Sequence, residues 1–195
     1  MAEEILAVIL NKIKKEEFSE RKSSYIVAVD GRCASGKTTL AEELAECLSC
    51  SVIHMDHFFL QPEQRTRERM EEPGGNVDRE RFKEEVIEPL CRGEAFSYRV
   101  FDCRIMDFCG SVNVRKTPVV LVEGAYSCHP EFAGYWDLTV FLSVDREEQI
   151  RRIEKRNGKK QAKQFAERWI PMEEKYFAAF CIESTCDITK TPQKQ

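Results

Sequence analysis

The spacing of apolar positions changes from stretch to stretch along this chain, and each spacing predicts an element. Ile5, Val8, Ile9 and Ile13, with Phe18 beyond them, fall on one face of a leading helix. The apolar run at 25–29 predicts a strand, and Leu40, Leu44, Ala45 and Leu48 mark the inner stripe of a helix starting near Thr38. Residues 51–55 read as a second strand that ends at Asp56. The polar stretch 61–76 holds Pro62, Pro73, Gly74 and Gly75 and predicts an irregular excursion. Asp78 is placed to cap a helix carrying Phe82, Val86 and Leu90, bent or interrupted at Pro89 and ended near Gly93.

Residues 96–101 and 111–114 read as short strands of a side hairpin. The continuous apolar run 118–122 predicts a central parallel strand buried on both faces, and 138–144 predicts another. Asp145 with Glu148 makes a capping-box-like start to a helix bearing Ile150 and Ile153. Phe165, Trp169, Met172, Tyr176 and Phe180 form a long helical stripe, read as core, with a kink at Pro171. A last strand is expected at 186–189. Strands alternating with helices predict an α/β fold with a mostly parallel sheet covered on both faces. No repeat, low-complexity tract or long linker interrupts the 195 residues, which suit a single domain over 1–195.

Between the strand at 25–29 and the helix near Thr38 lies Gly31-Arg32-Cys33-Ala34-Ser35-Gly36-Lys37-Thr38, the pattern of a P-loop. A glycine-bounded loop between strand and helix turns backbone N–H groups toward one point, where the helix N-terminus adds partial positive charge. Such a cradle holds a triphosphate. Lys37 would supply a full charge at the β/γ-phosphates, and the Thr38 hydroxyl, followed by Thr39, would ligate Mg²⁺.

Composition narrows the classes. The chain is 42% apolar and 33% charged, ordinary for an α/β protein, and its net charge of −4 argues against bulk nucleic-acid binding. The apolar run 5–10, like every other in the chain, is far short of the roughly 20 residues a membrane helix needs. Glu3 and Glu4 precede it in place of the basic start of a signal peptide, so a cytoplasmic protein without a membrane partner is expected. Nine scattered cysteines suit free thiols. Cys47 and Cys50, with His54 and His57 following, raise a zinc site. Cys47 in a helix and His54 in the next strand, however, would aim their side chains in different directions. Cys33, inside the P-loop near Lys37 and a helix N-terminus, is placed for a lowered thiol pKa and for oxidation that blocks nucleotide binding.

Ligands of parallel sheets sit outside the carboxyl ends of the strands. Asp56, after the second strand, would stand near the γ-phosphate, accept a proton from an attacking hydroxyl and help hold Mg²⁺. Glu123, after the central strand, occupies a Walker-B-like place. Arg152 and Arg156, four apart on one helical face, would close a lid over about 152–164 onto the triphosphate.

The ordered series Asp30-Gly31 through Thr39, Met55-Asp56-His57-Phe58-Phe59, Asn76-Val77-Asp78, Val100-Phe101-Asp102, Val122-Glu123-Gly124, Arg151-Arg152-Ile153 and Trp169-Ile170-Pro171 resembles the uridine kinase family of P-loop kinases. The resemblance implies a three-layer αβα P-loop NTPase fold with a five-stranded parallel core, a side hairpin over the acceptor site and a helical lid. It implies γ-phosphate transfer from ATP or GTP to a nucleoside 5′-hydroxyl. The family's catalytic aspartate falls on Asp56, its Mg²⁺ residues on Thr38, Asp56 and Glu123, its ribose-binding aspartate on Asp78, and its lid arginines on Arg152 and Arg156. Two positions depart from it. Phe101 stands where uridine kinases have a tyrosine, and Met106 where they have a histidine. Phe101 can still stack on a base, whereas Met106 loses a polar contact that would select uracil or cytosine. The stretch 65–75 is unlike the better-known members.

Uridine or cytidine is therefore the leading acceptor, with pantothenate or a sugar phosphate as the second class. A nucleotide switch is the alternative outside catalysis, but the chain has no Asn-Lys-x-Asp guanine motif, and Asp56 and the lid would be idle in one. Homo-oligomerisation stays open.

Overall fold

The core of the molecule is a five-stranded sheet whose β-branched runs alternate between two helical layers. The structure, a computed structural model, describes residues 1–15 and 24–191. Strands β1 (Tyr25–Gly31), β2 (Ser51–His54), β5 (Val119–Glu123), β6 (Leu138–Leu142) and β7 (Ile188–Lys190) lie in the order β2-β5-β1-β6-β7. All four pairings are parallel. Because side chains alternate along a strand, Val27 and Val29 face one layer and Ile26 and Ala28 the other. The first layer is α1 (Ala2–Lys15) and α2 (Lys37–Leu48), which contribute buried Ile5, Ile9, Leu40 and Leu44. Val8 and Ile13 pack on that cluster, while Phe18 lies outside the described residues. No helix among the described residues is long and apolar enough to cross a membrane.

The second layer is built from α4 (Arg79–Phe82), α5 (Glu88–Arg92) and α8 (Ile170–Phe180), whose Phe82, Leu90, Tyr176 and Phe177 cover the other face of the sheet. Asp78 caps α4 by accepting from the Arg81 N–H at 3.0 Å, and Gly93 ends α5 with φ +69°. The bends expected at Pro89 and Pro171 take the form of π-turns just ahead of each proline, at Lys83–Ile87 and Phe165–Trp169. A proline removes one N–H from the ladder, and a widened turn accommodates the interruption without ending the helix.

Several expected boundaries shift, the strands expected at 138–144 and 186–189 being Leu138–Leu142 and Ile188–Lys190. The second strand stops at His54 because Met55–Phe58 winds into a 3₁₀ turn that carries Asp56. The side hairpin, β3 (Phe96–Asp102) with β4 (Asp107–Val114), starts its second strand four residues early. The stretch 61–76, expected to be irregular, contains a 3₁₀ turn at Pro62–Gln64 and a short helix α3 (Arg67–Glu71) capped by Thr66. Asp145 accepts from the N–H groups of Glu147 and Glu148 at the start of α6 (Arg146–Asn157). The Glu148 carboxylate turns instead to Arg151 and Arg152, so the capping box is half formed. Helix α7 (Lys159–Gln164) and α9 (Ile182–Thr185) complete the chain.

Candidate active site

The loop between β1 and α2 is fixed from beneath before it meets any ligand. Gly31 has φ +137°, and a Cβ there would sit 2.1 Å from the Leu142 oxygen of β6. Only glycine allows that approach. The Asp30 carboxylate is fully buried and accepts from the N–H groups of Gly31, Tyr126 and Cys128 and from the Tyr176 hydroxyl, at 2.7 to 3.1 Å. Burial pushes its pKa up while these donors oppose the shift. One side chain thus ties the P-loop to the segment after β5 and to α8.

Residues of the P-loop divide into those that line a cavity of about 720 Å³ and those that do not. Cys33, Ala34, Gly36, Lys37, Thr38 and Thr39 line it. Lys37 Nζ donates to the carbonyls of Gly31 and Arg32 at 2.8 and 3.0 Å, which leaves one of its three protons for a phosphate oxygen. Gly31, Arg32 and Ser35 do not line the cavity. The Gly31 N–H is taken by Asp30 and the Arg32 N–H by Leu142 O. The Arg32 guanidinium points away, ion-paired with Glu174 and Glu183 and lying over Phe141 and Phe177. Arg32 holds the loop to the C-terminal helices and is withdrawn from the nucleotide-binding set. The Ser35 side chain is buried under the loop.

Cys33 also departs from expectation. Its Sγ lies 3.3 Å from Gln149 Nε2, and its N–H donates to Glu173 Oε2 at 2.9 Å. Burial, reinforced by Glu173, pushes the thiol pKa well up, the opposite of an activated thiolate. Glu173 is itself buried in the cavity wall, and burial raises its pKa to about 7. Cys47 is exposed and Cys50 buried, while His54 turns to Glu123 and His57 to the Tyr98 hydroxyl. Among the described residues no three His, Cys, Asp or Glu side chains converge as a metal cage.

Opposite the P-loop stand two carboxylates. Asp56 is exposed to the open cavity, and the protein crowding around it together with the nearby Glu123 charge raises its pKa. Glu123 is buried at the end of β5; both its oxygens lie 3.3 Å from Thr38 Oγ1, and His54 Nδ1 sits 2.6 Å from Oε1. The Glu123 partner raises the His54 pKa. Thr38, Glu123 and Asp56 are a sparse, all-oxygen donor set. That suits Mg²⁺, which keeps waters and shares phosphate oxygens in preference to a complete protein cage.

Arg152 and Arg156 enter the cavity from α6. Arg152 Nε donates to Glu148 at 2.7 Å and its Nη1 to Ala34 O at 3.1 Å, joining this helix to the P-loop. Gly158, at φ +81°, separates α6 from α7. Beyond it, Phe165 and Trp169 line the cavity, so the upper half of the aromatic stripe faces the site and only Tyr176 of its five residues is fully buried.

Of the three expected acceptor contacts, the structure brings only Met106 to the cavity, in a left-handed turn at φ +58°. Asp78 is buried with both oxygens engaged, by the Arg81 N–H, by Gln64 Nε2 at 3.0 Å and by Arg81 Nε at 3.5 Å. Phe101 is buried in the hairpin against Phe108. Neither lines the cavity. Sequence reasoning had given no role to Asn76, Arg65 or Glu173, which do.

A family model described as an AAA domain matches residues 27–174. The chain belongs to this family. Its fold is that of P-loop proteins, as solved structures also show. A provisionally assigned fructose transport system kinase from Silicibacter sp. TM1040 superposes with a TM-score of 0.71 at 20% identity, covering 97% of this chain and 98% of that one. D-glycerate 3-kinase from Cryptococcus neoformans gives 0.67 at 15% identity, over 98% and 93%. A possible uridine kinase from Bacillus stearothermophilus gives 0.65 at 19% identity, over 94% and 96%. At such identities the likeness speaks for the three-layer fold.

Proposed function

We propose that the protein is an ATP-dependent kinase that moves the γ-phosphate to a hydroxyl of a small molecule. The supporting observation is the meeting of Lys37, Thr38, Glu123 and Asp56 in one cavity, with Arg152 and Arg156 closing its side. The P-loop amides and Lys37 hold the β- and γ-phosphates, and the lid arginines gather the charge that spreads over the transferring group. Asp56 takes the proton of the acceptor hydroxyl as its oxygen bonds to the γ-phosphorus and the bond to ADP breaks. A carboxylate whose pKa is raised accepts that proton more readily than an ordinary one. Mg²⁺ at Thr38, Glu123 and Asp56 would neutralise phosphate charge.

A nucleoside 5′-hydroxyl is the acceptor implied by the motif series, and Met106, the residue at the family's histidine position, lines the cavity. Against that reading, Asp78 and Phe101 are turned to internal contacts. The neighbours named for uridine, fructose transport and glycerate are consistent with a scaffold that takes different hydroxyl compounds. The test is ADP release with Mg·ATP against a panel of hydroxyl compounds, repeated with Asp56→Asn. Acceptor-stimulated turnover lost by about 100-fold or more in the variant is expected. ADP release that no acceptor stimulates, or an Asp56→Asn enzyme with full turnover, overturns the reading.

A further inference from the structure

Resting on that reading, we infer that the acceptor carries an oxyanion, a carboxylate or a phosphate, bound by Arg65, and a second hydrogen-bond donor read by Asn76. Arg65 lines the cavity that holds Asp56. Its Nε donates to Leu60 O at 2.9 Å, which fixes the side chain, and its Nη2 reaches Cys103 Sγ at 3.8 Å. The arginines around it are neutralised within the protein. Arg69 pairs with Glu80, Arg79 with Glu72 and Glu131, Arg81 with Asp78 and Glu85, and Arg99 with Glu85. Among the described residues no carboxylate pairs with Arg65. A guanidinium held at its Nε, with Nη1 and the second Nη2 proton unpaired on a cavity wall, can donate to the oxygens of a carboxylate or phosphate.

Asn76 supplies the second, independent observation. It is 6% exposed and lines the same cavity. Its Oδ1 is buried with no partner. An orphaned buried carbonyl oxygen is costly unless a ligand donor meets it. An acceptor-only atom there reads an O–H or N–H of the substrate. Phe59, Met70 and Met106 give the rest of this end an apolar wall with few polar alternatives. Charge points the same way. An anionic acceptor would be repelled by Asp56 and the γ-phosphate, and Arg65, on the wall of the same cavity, offsets this. Cys103 lines the same cavity beside Arg65.

Two measurements on the full chain test this. In the first, ADP release is compared for matched acceptors: glycerol against D-glycerate and glycerol 3-phosphate, and uridine and fructose against pantothenate and fructose 6-phosphate. The anionic members should be preferred. Arg65→Gln should lower their kcat/KM by about tenfold or more, mainly through KM, with Arg65→Lys recovering part of the loss and Asn76→Ala also raising KM. In the second, titration of the protein saturated with a non-hydrolysable ATP analogue measures binding of D-glycerate and inorganic phosphate. The wild type should bind at least one of them, and Arg65→Gln should weaken it by about tenfold. A carboxylate-only or phosphate-only response decides between the two oxyanions. Preference for a neutral acceptor, or anion binding equal in wild type and Arg65→Gln, overturns the inference while leaving the kinase assignment intact. Arg65-dependent binding without turnover of any acceptor supports the subsite and fails the kinase.

Discussion

Glu173→Gln should stabilise the free protein, and only on the alkaline side. Glu173 is buried against the P-loop, and its pKa is raised from 4.5 to about 7, with burial the largest cause and Lys37 and the Cys33 N–H opposing it. A raised acid pKa means that the folded state holds a proton which the unfolded chain releases. Stability therefore falls as pH rises from the unfolded value to the folded one and stays low above it. At about 1.4 kcal/mol per pKa unit the penalty reaches on the order of 3 kcal/mol above neutrality. Glutamine keeps an oxygen to accept the Cys33 N–H and carries no charge. Urea unfolding followed by tryptophan fluorescence, without nucleotide, should give nearly equal stabilities for variant and wild type at about pH 5 and a gap near 3 kcal/mol at about pH 8. Asp30 and Asp56 also have raised pKa values, so the wild-type slope alone is shared, but the difference between the two proteins isolates Glu173. A gap that does not change with pH would refute the reasoning.

Two further outcomes separate structural from functional residues. Phe101→Ala should cost about 3 to 4 kcal/mol of stability, because a fully buried ring leaves a cavity, while the KM for the acceptor stays unmoved; a changed KM with unchanged stability would return Phe101 to the acceptor site. Cys33 should be alkylated by iodoacetamide more slowly than exposed Cys47 and Cys109 near neutral pH, since its thiolate is disfavoured; mass spectrometry of the labelled peptides decides, and preferential labelling of Cys33 would contradict the burial argument.

What was legible in the sequence follows the range of the interactions. The alternation of Ile26 and Ala28 with Val27 and Val29, the capping by Asp78 and Asp145, and the glycines at 31 and 36 are local, and local patterns predict the sheet, the helices and the phosphate loop. Which way a charged side chain turns is set by distant partners. Arg32 is drawn off by Glu174 and Glu183, 142 and 151 residues away, so a P-loop position became a structural tie. Asp78 is turned to its own helix, to Gln64 and to Arg81, contacts that the sequence pattern does not reveal. Cys33 carried the marks of an activated thiol, but a buried carboxylate from α8 reversed the sign of its shift. The aromatic stripe had one period and two environments, because the π-turn before Pro171 rotates Phe165 and Trp169 toward the cavity.

On the proposed reading, the stretch 61–76 separates acceptor selectivity from phosphate chemistry. Proline and glycine content predicts a loop there, yet its order comes from side chains that bond backbone carbonyls, which periodicity cannot reveal. Arg69 donates to Gly75 O and Val77 O at 3.0 Å, Arg65 to Leu60 O, and Lys175 of α8 to Glu71 O. Gly75 has no room for a Cβ, which would meet Arg69 O at 1.9 Å. These bonds hold Arg65, Met70 and Asn76 on the cavity wall without touching Lys37, Thr38 or Glu123. On the proposed reading, substitution within the stretch is expected to change which acceptor is taken while the loop after β1, braced separately by Asp30 and Leu142, is left as it was.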